Sequence, residues 1–201
     1  MPDLLLMRHG QSVYNLENRF TGWVDVPLSN NGIEEAKKAA ILLKDFKIDI
    51  AYTSKLKRAI DTLQIILDSR KTDPIPVIEN ETLNERNYGD LQGLTKAEVA
   101  KQYGDEQVLV WRRSYDVTPP GGESLKNTAA RAIPYFRSVI CADLSHGSNV
   151  LVVAHGNSLR AIVKDLEGIS DDDIMHLNID TGKIYFYRLD ANLKIIDKKI
   201  L

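Results

Sequence analysis

The 201-residue sequence lacks most of the features that mark secreted, membrane-bound or nucleic-acid-binding proteins. It has one cysteine, Cys141, so no intramolecular disulfide can form and a reducing compartment is expected. No apolar run reaches membrane-spanning length, and the N-terminus lacks the basic and long apolar segments of a signal peptide. The formal net charge is -2, whereas nucleic acids and anionic membranes call for a basic excess. These absences predict a cytoplasmic protein that binds neither nucleic acid nor membrane.

The composition is that of an ordinary globular protein with one sizeable core. Hydrophobic residues make up 43% of the chain and charged residues 27%. We therefore expect residues 1–201 to form a single domain. Cys141 lies in an apolar-periodic stretch, where a small buried hydrophobe is the simplest interpretation.

Short apolar runs alternate with segments of helical spacing along the chain. The predicted strands cover residues 4–7, 48–53, 76–78, 150–154, 183–189 and 193–196. Predicted helices are capped by Ser29, Ser54, Thr95 and Ser124, and another ends at Gly168. Pro134 should kink the helix that contains it. The alternation predicts an α/β fold: a doubly wound, mostly parallel sheet with helices on both faces and the last strand or two antiparallel at an edge.

The segment near residues 83–122 differs from this pattern. It is rich in Arg, Asn, Gly, Tyr and Trp, and the run Pro119-Pro120-Gly121-Gly122 separates it from the next helix. Its clearest local signal is the capping box of Thr95 and Glu98, which predicts a short helix. We expect an inserted lobe here.

Two segments, residues 5–12 and 151–158, echo each other. Each is an apolar strand followed by His-Gly, a side-chain amide and Ser, with His9 and His155 as the histidines. Neighbouring parallel strands that end this way would place both imidazoles in one crevice at the carboxyl edge of the sheet. Gly10 and Gly156 would allow close approach of a ligand. A lone histidine is more often satisfied within the core, but a matched pair at strand ends favours a site.

The residues around this histidine pair predict an anion site and no metal site. The sequence has no cysteine cluster, no His-Glu-x-x-His helix and no carboxylate close to either histidine. Guanidinium groups match phosphate oxygens in pairs and stay charged at any working pH, so cations near His9 indicate a phosphorylated, multiply anionic substrate. The candidate cations are Arg8, Arg58, Lys96, Arg112 and Arg113.

Phosphoryl transfer to a histidine suits this set of residues. A neutral imidazole is a nucleophile when its second ring nitrogen bonds a backbone carbonyl, and fixed positive charge stabilises the transferring group. His9 is the candidate nucleophile, and His155 would help to stabilise the transferring group. Glu85 is the best-placed carboxyl for proton transfer, although spacing alone leaves a surface glutamate as the alternative.

Several motifs carry a resemblance to a known family. Arg8-His9-Gly10 after the first strand resembles the signature of the histidine phosphatase superfamily. Further segments resemble its cofactor-dependent phosphoglycerate mutases, and the similarity covers nearly the whole chain. These segments are residues 8–12 through Asn15, 20–25, 28–29, 53–54 with Arg58, 85–89, 91–93, 111–113 and 154–158.

The resemblance implies interconversion of 2- and 3-phosphoglycerate in glycolysis and gluconeogenesis, primed by 2,3-bisphosphoglycerate and independent of metal. It implies that His9 is phosphorylated, that Glu85 donates and accepts the proton, and that Arg8, Arg58 and His155 belong to the catalytic set. The residues implied to bind substrate are Arg8, Ser12, Asn15, Thr21, Gly22, Arg58, Glu85, Tyr88, Lys96, Arg112, Arg113, Gly156 and Asn157.

Two departures from the family pattern leave alternatives open. The loop at residues 118–124 is shorter than in the longer family members, and the chain stops soon after its last predicted strand. Both regions bear on lid closure and subunit contacts, so a homo-oligomer and the balance between mutase, phosphatase and bisphosphoglycerate synthase activities stay open. A non-catalytic phosphate-binding protein is a further alternative, but such a protein should have lost part of the catalytic set, and none of it is missing.

Overall fold

The computed structural model describes residues 1–70 and 73–201, and six strands within these ranges form one mixed sheet. The strands are β1 (Asp3–Arg8), β2 (Ile50–Thr53), β3 (Val77–Glu79), β4 (Val150–Ala154), β5 (Ile184–Leu189) and β6 (Ile195–Ile200). Their order is β3-β2-β4-β1-β5-β6. The first four strands are mutually parallel, and β5 and β6 add as an antiparallel hairpin at one edge. The predicted α/β sheet is confirmed, including its antiparallel edge.

Helices cover both faces of this sheet. The α-helices of the described residues are α1 (Val13–Leu16), α2 (Asn30–Leu42), α3 (Lys57–Asp68), α4 (Lys96–Tyr103), α5 (Asp105–Arg113), α6 (Leu125–Tyr135), α7 (Cys141–Ser145) and α8 (Gly156–Glu167). Alternation along β1 sends Leu4 and Leu6 to the face covered by α6, α7 and α8, while Leu5 and Met7 face α2 and α3. β1 and β4 are therefore buried on both sides, which explains their unbroken apolar runs. No helix in residues 1–70 or 73–201 is long and apolar enough to cross a bilayer.

Three of the four predicted helix caps are confirmed. The side chains of Ser29, Thr95 and Ser124 each accept a backbone N–H in the first turn of their helices. The prediction for Ser54 is wrong, because α3 starts at Lys57, three residues later. Instead, the backbone N–H of Lys57 donates at 2.7 Å to Oδ1 of Asp25, which lies in the loop after α1.

The irregularity predicted at Pro134 takes the form of a widened helical turn. Proline has no N–H to donate, so it disturbs the regular hydrogen-bond ladder of an α-helix. α6 continues through Pro134 to Tyr135, and the next five residues, Phe136–Ile140, are π-helical before α7 begins. Cys141, the first residue of α7, is half-buried against the core, and burial raises its thiol pKa to about 11. Its burial and its raised thiol pKa agree with a packing role for Cys141.

The inserted lobe at residues 83–122 contains α4, α5 and a small apolar core. This core is formed by Phe20, Leu91, Val99, Val108 and Trp111. Phe20 belongs to the loop after β1, and its backbone bonds Leu94 O and Gly93 N. The lobe is therefore anchored to the loop that follows the first strand, above the carboxyl edge of the sheet.

Candidate active site

The two histidines of the repeated motif lie side by side. β1 and β4 are adjacent and parallel, with Arg8 opposite Ala154, so the residues that follow them emerge together. The imidazole centroids of His9 and His155 are 4.9 Å apart, and both rings are buried. The topology thus produces the juxtaposition that the sequence repeat predicts.

Hydrogen bonds set the tautomer of His9. Its Nδ1 lies 2.6 Å from the carbonyl oxygen of Gly10, which can only accept, so Nδ1 carries the proton. Nε2 is then free of a proton and accepts from Arg58 Nε at 3.3 Å. Burial, followed by the charges of Arg58 and Arg8, holds the pKa of His9 well below its usual value. His9 is therefore a neutral imidazole with an available lone pair on Nε2.

His155 is oriented by Ser54. The Ser54 hydroxyl lies 2.7 Å from Nε2 of His155 and accepts the N–H of Leu56 at 3.1 Å. This bond fixes the orientation of the imidazole ring. Within the described residues Nδ1 is buried without a partner. Burial, then the charge of Arg58, holds the pKa of His155 well below its usual value, so the ring is neutral.

Arg58 is fixed by the loop that precedes α2. Its Nη2 donates to Gly22 O at 2.8 Å and its Nη1 to Val24 O at 3.1 Å, and the side chain is almost completely buried. Burial lowers its pKa to about 10, so it remains charged at neutral pH. Gly22 has φ +54°, and a Cβ there would lie 2.0 Å from Gln92 Oε1. The positive φ favours glycine in this turn, which presents the carbonyl that Arg58 binds.

Gly10 makes room for a protein atom and not for a ligand, which corrects the sequence-based interpretation at that position. A Cβ on Gly10 would lie 2.2 Å from the carbonyl oxygen of Gly32 in α2. A Cβ on Gly156 would meet the Arg8 guanidinium at 3.4 Å, which is ordinary contact. Gly10 is thus required for helix packing behind the site.

Glu85 presents one free carboxylate oxygen. Its Oε1 accepts the backbone N–H of Arg86 at 2.8 Å and that of Asn157 at 3.0 Å. Oε2 has neither of these bonds and is the oxygen available for proton exchange. Arg131 holds the same segment by donating to the carbonyl oxygens of Thr82, Asn84 and Glu85.

Apart from His155, these catalytic groups line one open cleft. The cleft is strongly cationic, with seven arginine or lysine side chains and a single carboxylate, that of Glu85. Its lining residues are Arg8, His9, Asn15, Arg19, Phe20, Thr21, Gly22, Arg58, Glu85, Tyr88, Lys96, Arg112, Arg113, Gly156, Asn157, Arg160, Asn178 and Ile179. A multiply anionic ligand is the natural complement of such a surface.

Two predicted site residues lie outside this lining. One is His155, which is fully buried beside His9. The other is Ser12. Its hydroxyl donates to Asn15 Oδ1 at 3.0 Å and accepts the Asn15 N–H at 3.2 Å, which caps α1. Ser12 therefore positions Asn15, which does line the cleft. Its capping role depends on a four-residue helix that the sequence pattern did not indicate.

Lys96 lines the cleft, where neighbouring cations disfavour its charged form. Burial, then the charges of Arg112, Arg8 and Arg113, lower its pKa to about 8. Its Nζ donates to Asn18 Oδ1 at 2.6 Å. Of the lobe cations, Lys96 is the one whose charge changes near neutral pH.

Sequence reasoning missed five lining residues, namely Arg19, Phe20, Arg160, Asn178 and Ile179. Arg160 lies three residues after Asn157 on α8, so helical spacing could have identified it. Arg19 and Phe20 directly precede the predicted residue Thr21. Asn178 and Ile179 lie in an irregular segment before β5 and carry no such signal. Among residues 1–70 and 73–201 there is no group of three or more His, Cys, Asp or Glu side chains arranged to hold a metal ion.

The comparisons with known proteins agree with this geometry. The model of the histidine phosphatase superfamily (branch 1) matches residues 4–198. A 2,3-bisphosphoglycerate-dependent phosphoglycerate mutase of Cytophaga hutchinsonii is 55% identical over 97% of this chain and 91% of its own length. A second such mutase, of Parvibaculum lavamentivorans, is 50% identical over 100% of this chain and 97% of its own length. A solved mycobacterial glucosyl-3-phosphoglycerate phosphatase in complex with VO3 has a TM-score of 0.86 at 26% identity, covering 100% of this chain and 97% of its own. The chain belongs to the histidine phosphatase superfamily and, within it, to the family of the 2,3-bisphosphoglycerate-dependent phosphoglycerate mutases.

Proposed function

We propose that this protein interconverts 2-phosphoglycerate and 3-phosphoglycerate through a phosphohistidine at His9, with 2,3-bisphosphoglycerate as primer. The observation that carries the proposal is the unprotonated Nε2 of His9, at 3.3 Å from Arg58 Nε, in a cleft with seven cations. The 45–55% identity to relatives named as mutases supports the same reaction. The reaction belongs to glycolysis and gluconeogenesis.

The cleft fits a ligand with two phosphates and a carboxylate. The primer supplies the phosphoryl group, and its three anionic groups match the excess of guanidinium and ammonium groups in the lining. Arg8 and Arg58, beside His9, would bind the transferring phosphate. Lys96, Arg112 and Arg113 of the lobe would bind the far end of the ligand.

Transfer begins with attack of His9 Nε2 on phosphorus. The transition state is loose and carries its charge on three equatorial oxygens, so fixed cations supply most of the stabilisation. Arg58, released from its bond to His9, can turn its Nε–H to one of these oxygens. We propose that Nδ1 of His155, which has no partner among the described residues, carries the ring proton and donates to another of these oxygens. None of these steps uses a metal ion.

Glu85 supplies and takes up the proton. The leaving oxygen of the substrate needs a proton as phosphorus departs, and the attacking hydroxyl loses one in the reverse transfer. Oε2 of Glu85 is suited to both steps because Oε1 is held by two backbone N–H groups. Positioned acid–base catalysis of this kind contributes about 10²–10⁴ in rate.

Hydrolysis of the phosphohistidine is the competing outcome on the same scaffold. A mutase must hold phosphoglycerate in two orientations and keep water from the intermediate, which requires cations away from the transferring phosphate and a covering segment. The lobe provides both. We propose that the lobe makes isomerisation the main reaction. We also propose that residues 1–201 act as one domain and that the protein works in the cytoplasm.

A coupled assay with 3-phosphoglycerate, with and without 2,3-bisphosphoglycerate, tests this function. We expect primer-dependent formation of 2-phosphoglycerate that survives a chelator. We also expect an acid-labile, base-stable phosphoprotein that His9→Ala abolishes. Label on Ser12 or Ser158, or chelator-sensitive activity restored by added metal, would contradict the mechanism.

A further inference from the structure

Two buried arginines, one of which lines the cleft, have no carboxylate partner among the described residues. Arg86 is fully buried and Arg160 is 3% exposed. Neither takes part in any ion pair of residues 1–70 or 73–201. Burying a guanidinium is costly unless strong acceptors replace its water, so other groups must stabilise these charges.

The acceptors lie at the C-terminal end of α5. Arg86 Nη2 donates to Arg112 O at 3.2 Å, and Arg160 Nη2 donates to Arg113 O at 3.1 Å. The last carbonyls of a helix have no partner within the helix and form the negative end of its dipole. The two guanidiniums therefore cap the end of the helix whose last residues, Arg112 and Arg113, line the cleft.

Arg160 also reaches two other parts of the site. Its Nη2 donates to Ile174 O at 2.7 Å, in the turn before β5, and its Nη1 donates to Asn157 Oδ1 at 2.9 Å. The backbone N–H of Asn157 in turn bonds Glu85 Oε1. One guanidinium thus joins α8, the end of the lobe helix and the turn at residues 173–176.

We propose that Arg160 is a positioning residue that fixes Arg113 of the lobe relative to His9 and Glu85. The inference rests on the proposed function and assigns the geometry of phosphoglycerate binding to a side chain outside the catalytic set. Charge alone is insufficient for this role, because an ammonium group cannot reach three acceptors in one plane as a guanidinium does.

Arg160→Lys separates position from charge. We expect KM for 3-phosphoglycerate to rise about tenfold, the scale of one lost charge-assisted hydrogen bond. We also expect more inorganic phosphate released per product isomerised, because a displaced lobe admits water. Phosphorylation of His9 by the primer should continue. If Arg160→Lys has the wild-type KM and the wild-type ratio of phosphate released to product isomerised, Arg160 does not position the lobe.

A double-mutant cycle with Arg113→Ala tests whether Arg160 acts through Arg113. Arg113→Ala alone should raise KM, and adding Arg160→Lys should then raise KM little further, because the side chain being positioned is absent. Independent effects that multiply would show that Arg160 binds the substrate directly and would overturn the proposal.

Arg70→Lys is the matched control for loss of a helix cap. Arg70 donates to Leu43 O and Phe46 O just beyond the end of α2, far from the cleft lining. Its replacement should lower the melting temperature and leave KM unchanged. If Arg160→Lys behaves in the same way, its role is structural only.

Calorimetry separates failure of this inference from failure of the proposed function. If the wild-type enzyme does not isomerise 3-phosphoglycerate, the proposed function is wrong. Binding of 2,3-bisphosphoglycerate to the wild-type protein and to Arg160→Lys still measures the positioning effect, which predicts about tenfold weaker binding for the variant. Equal affinities of the two proteins for 2,3-bisphosphoglycerate would refute the positioning role of Arg160.

Discussion

Arg58 donates its Nε–H to Nε2 of His9 at 3.3 Å, so a cation engages the nucleophilic lone pair. The same guanidinium is held by Gly22 O and Val24 O, so backbone groups of the protein set its position. An arriving phosphate oxygen can replace His9 as the acceptor of Arg58, which frees Nε2 to attack. The contact also opposes protonation of His9.

The first prediction is that His9 stays neutral well below its ordinary titration range. Burial, Arg58 and Arg8 all lower its pKa from 6.5, so NMR titration of its ring should show a midpoint clearly below that value. Removing one of these charges in Arg58→Gln should move the midpoint upward. A wild-type midpoint at or above 6.5 would contradict the assigned nucleophile state.

The second prediction concerns stability in acid. His9 and His155 both have lowered pKa values in the folded protein, so below about pH 6.5 the unfolded chain binds protons that the folded one does not. Each such proton removes about 1.4 kcal/mol of unfolding free energy per pH unit. Denaturant unfolding between pH 7 and 5 should therefore be less pH-dependent in His155→Asn than in the wild type.

His146→Asn is the control for this measurement. His146 is exposed at the end of α7. Its replacement should leave the pH dependence of unfolding as in the wild type. Identical slopes for His155→Asn and the wild type would mean that His155 protonates in the folded state.

The third prediction is an alkaline limb set by Lys96. Its pKa of about 8 means that the free enzyme loses this charge as pH rises through that value, so kcat/KM for phosphoglycerate should fall there. Lys96→Arg should keep the charge and extend the plateau to higher pH. Lys101→Arg, at an exposed position of the same helix, should leave the limb in place. A limb that persists in Lys96→Arg belongs to another group.

Much of the fold and of the site could be predicted because local chemistry agrees with the final arrangement. The apolar runs of β1 and β4 and the repeated His-Gly motif led directly to the paired imidazoles. Ser54 shows the limit of such prediction. Serine is a common helix cap, but Ser54 instead orients His155, which lies 101 residues away in the sequence. Asn178 and Ile179 join the site only through tertiary packing, which one sequence does not display.

The last prediction is that Glu85→Gln slows turnover by about 10²–10⁴ while the fold stays intact. Glutamine retains an Oε1 that can accept the N–H groups of Arg86 and Asn157, so the backbone around the site keeps both bonds. It cannot exchange a proton at the position of Oε2. Steady-state turnover and thermal melting together distinguish these effects, since Glu85→Ala removes both acceptors and should lower kcat and the melting temperature alike. Unimpaired turnover in Glu85→Gln would remove Glu85 from proton transfer and transfer that role to another group in the cleft.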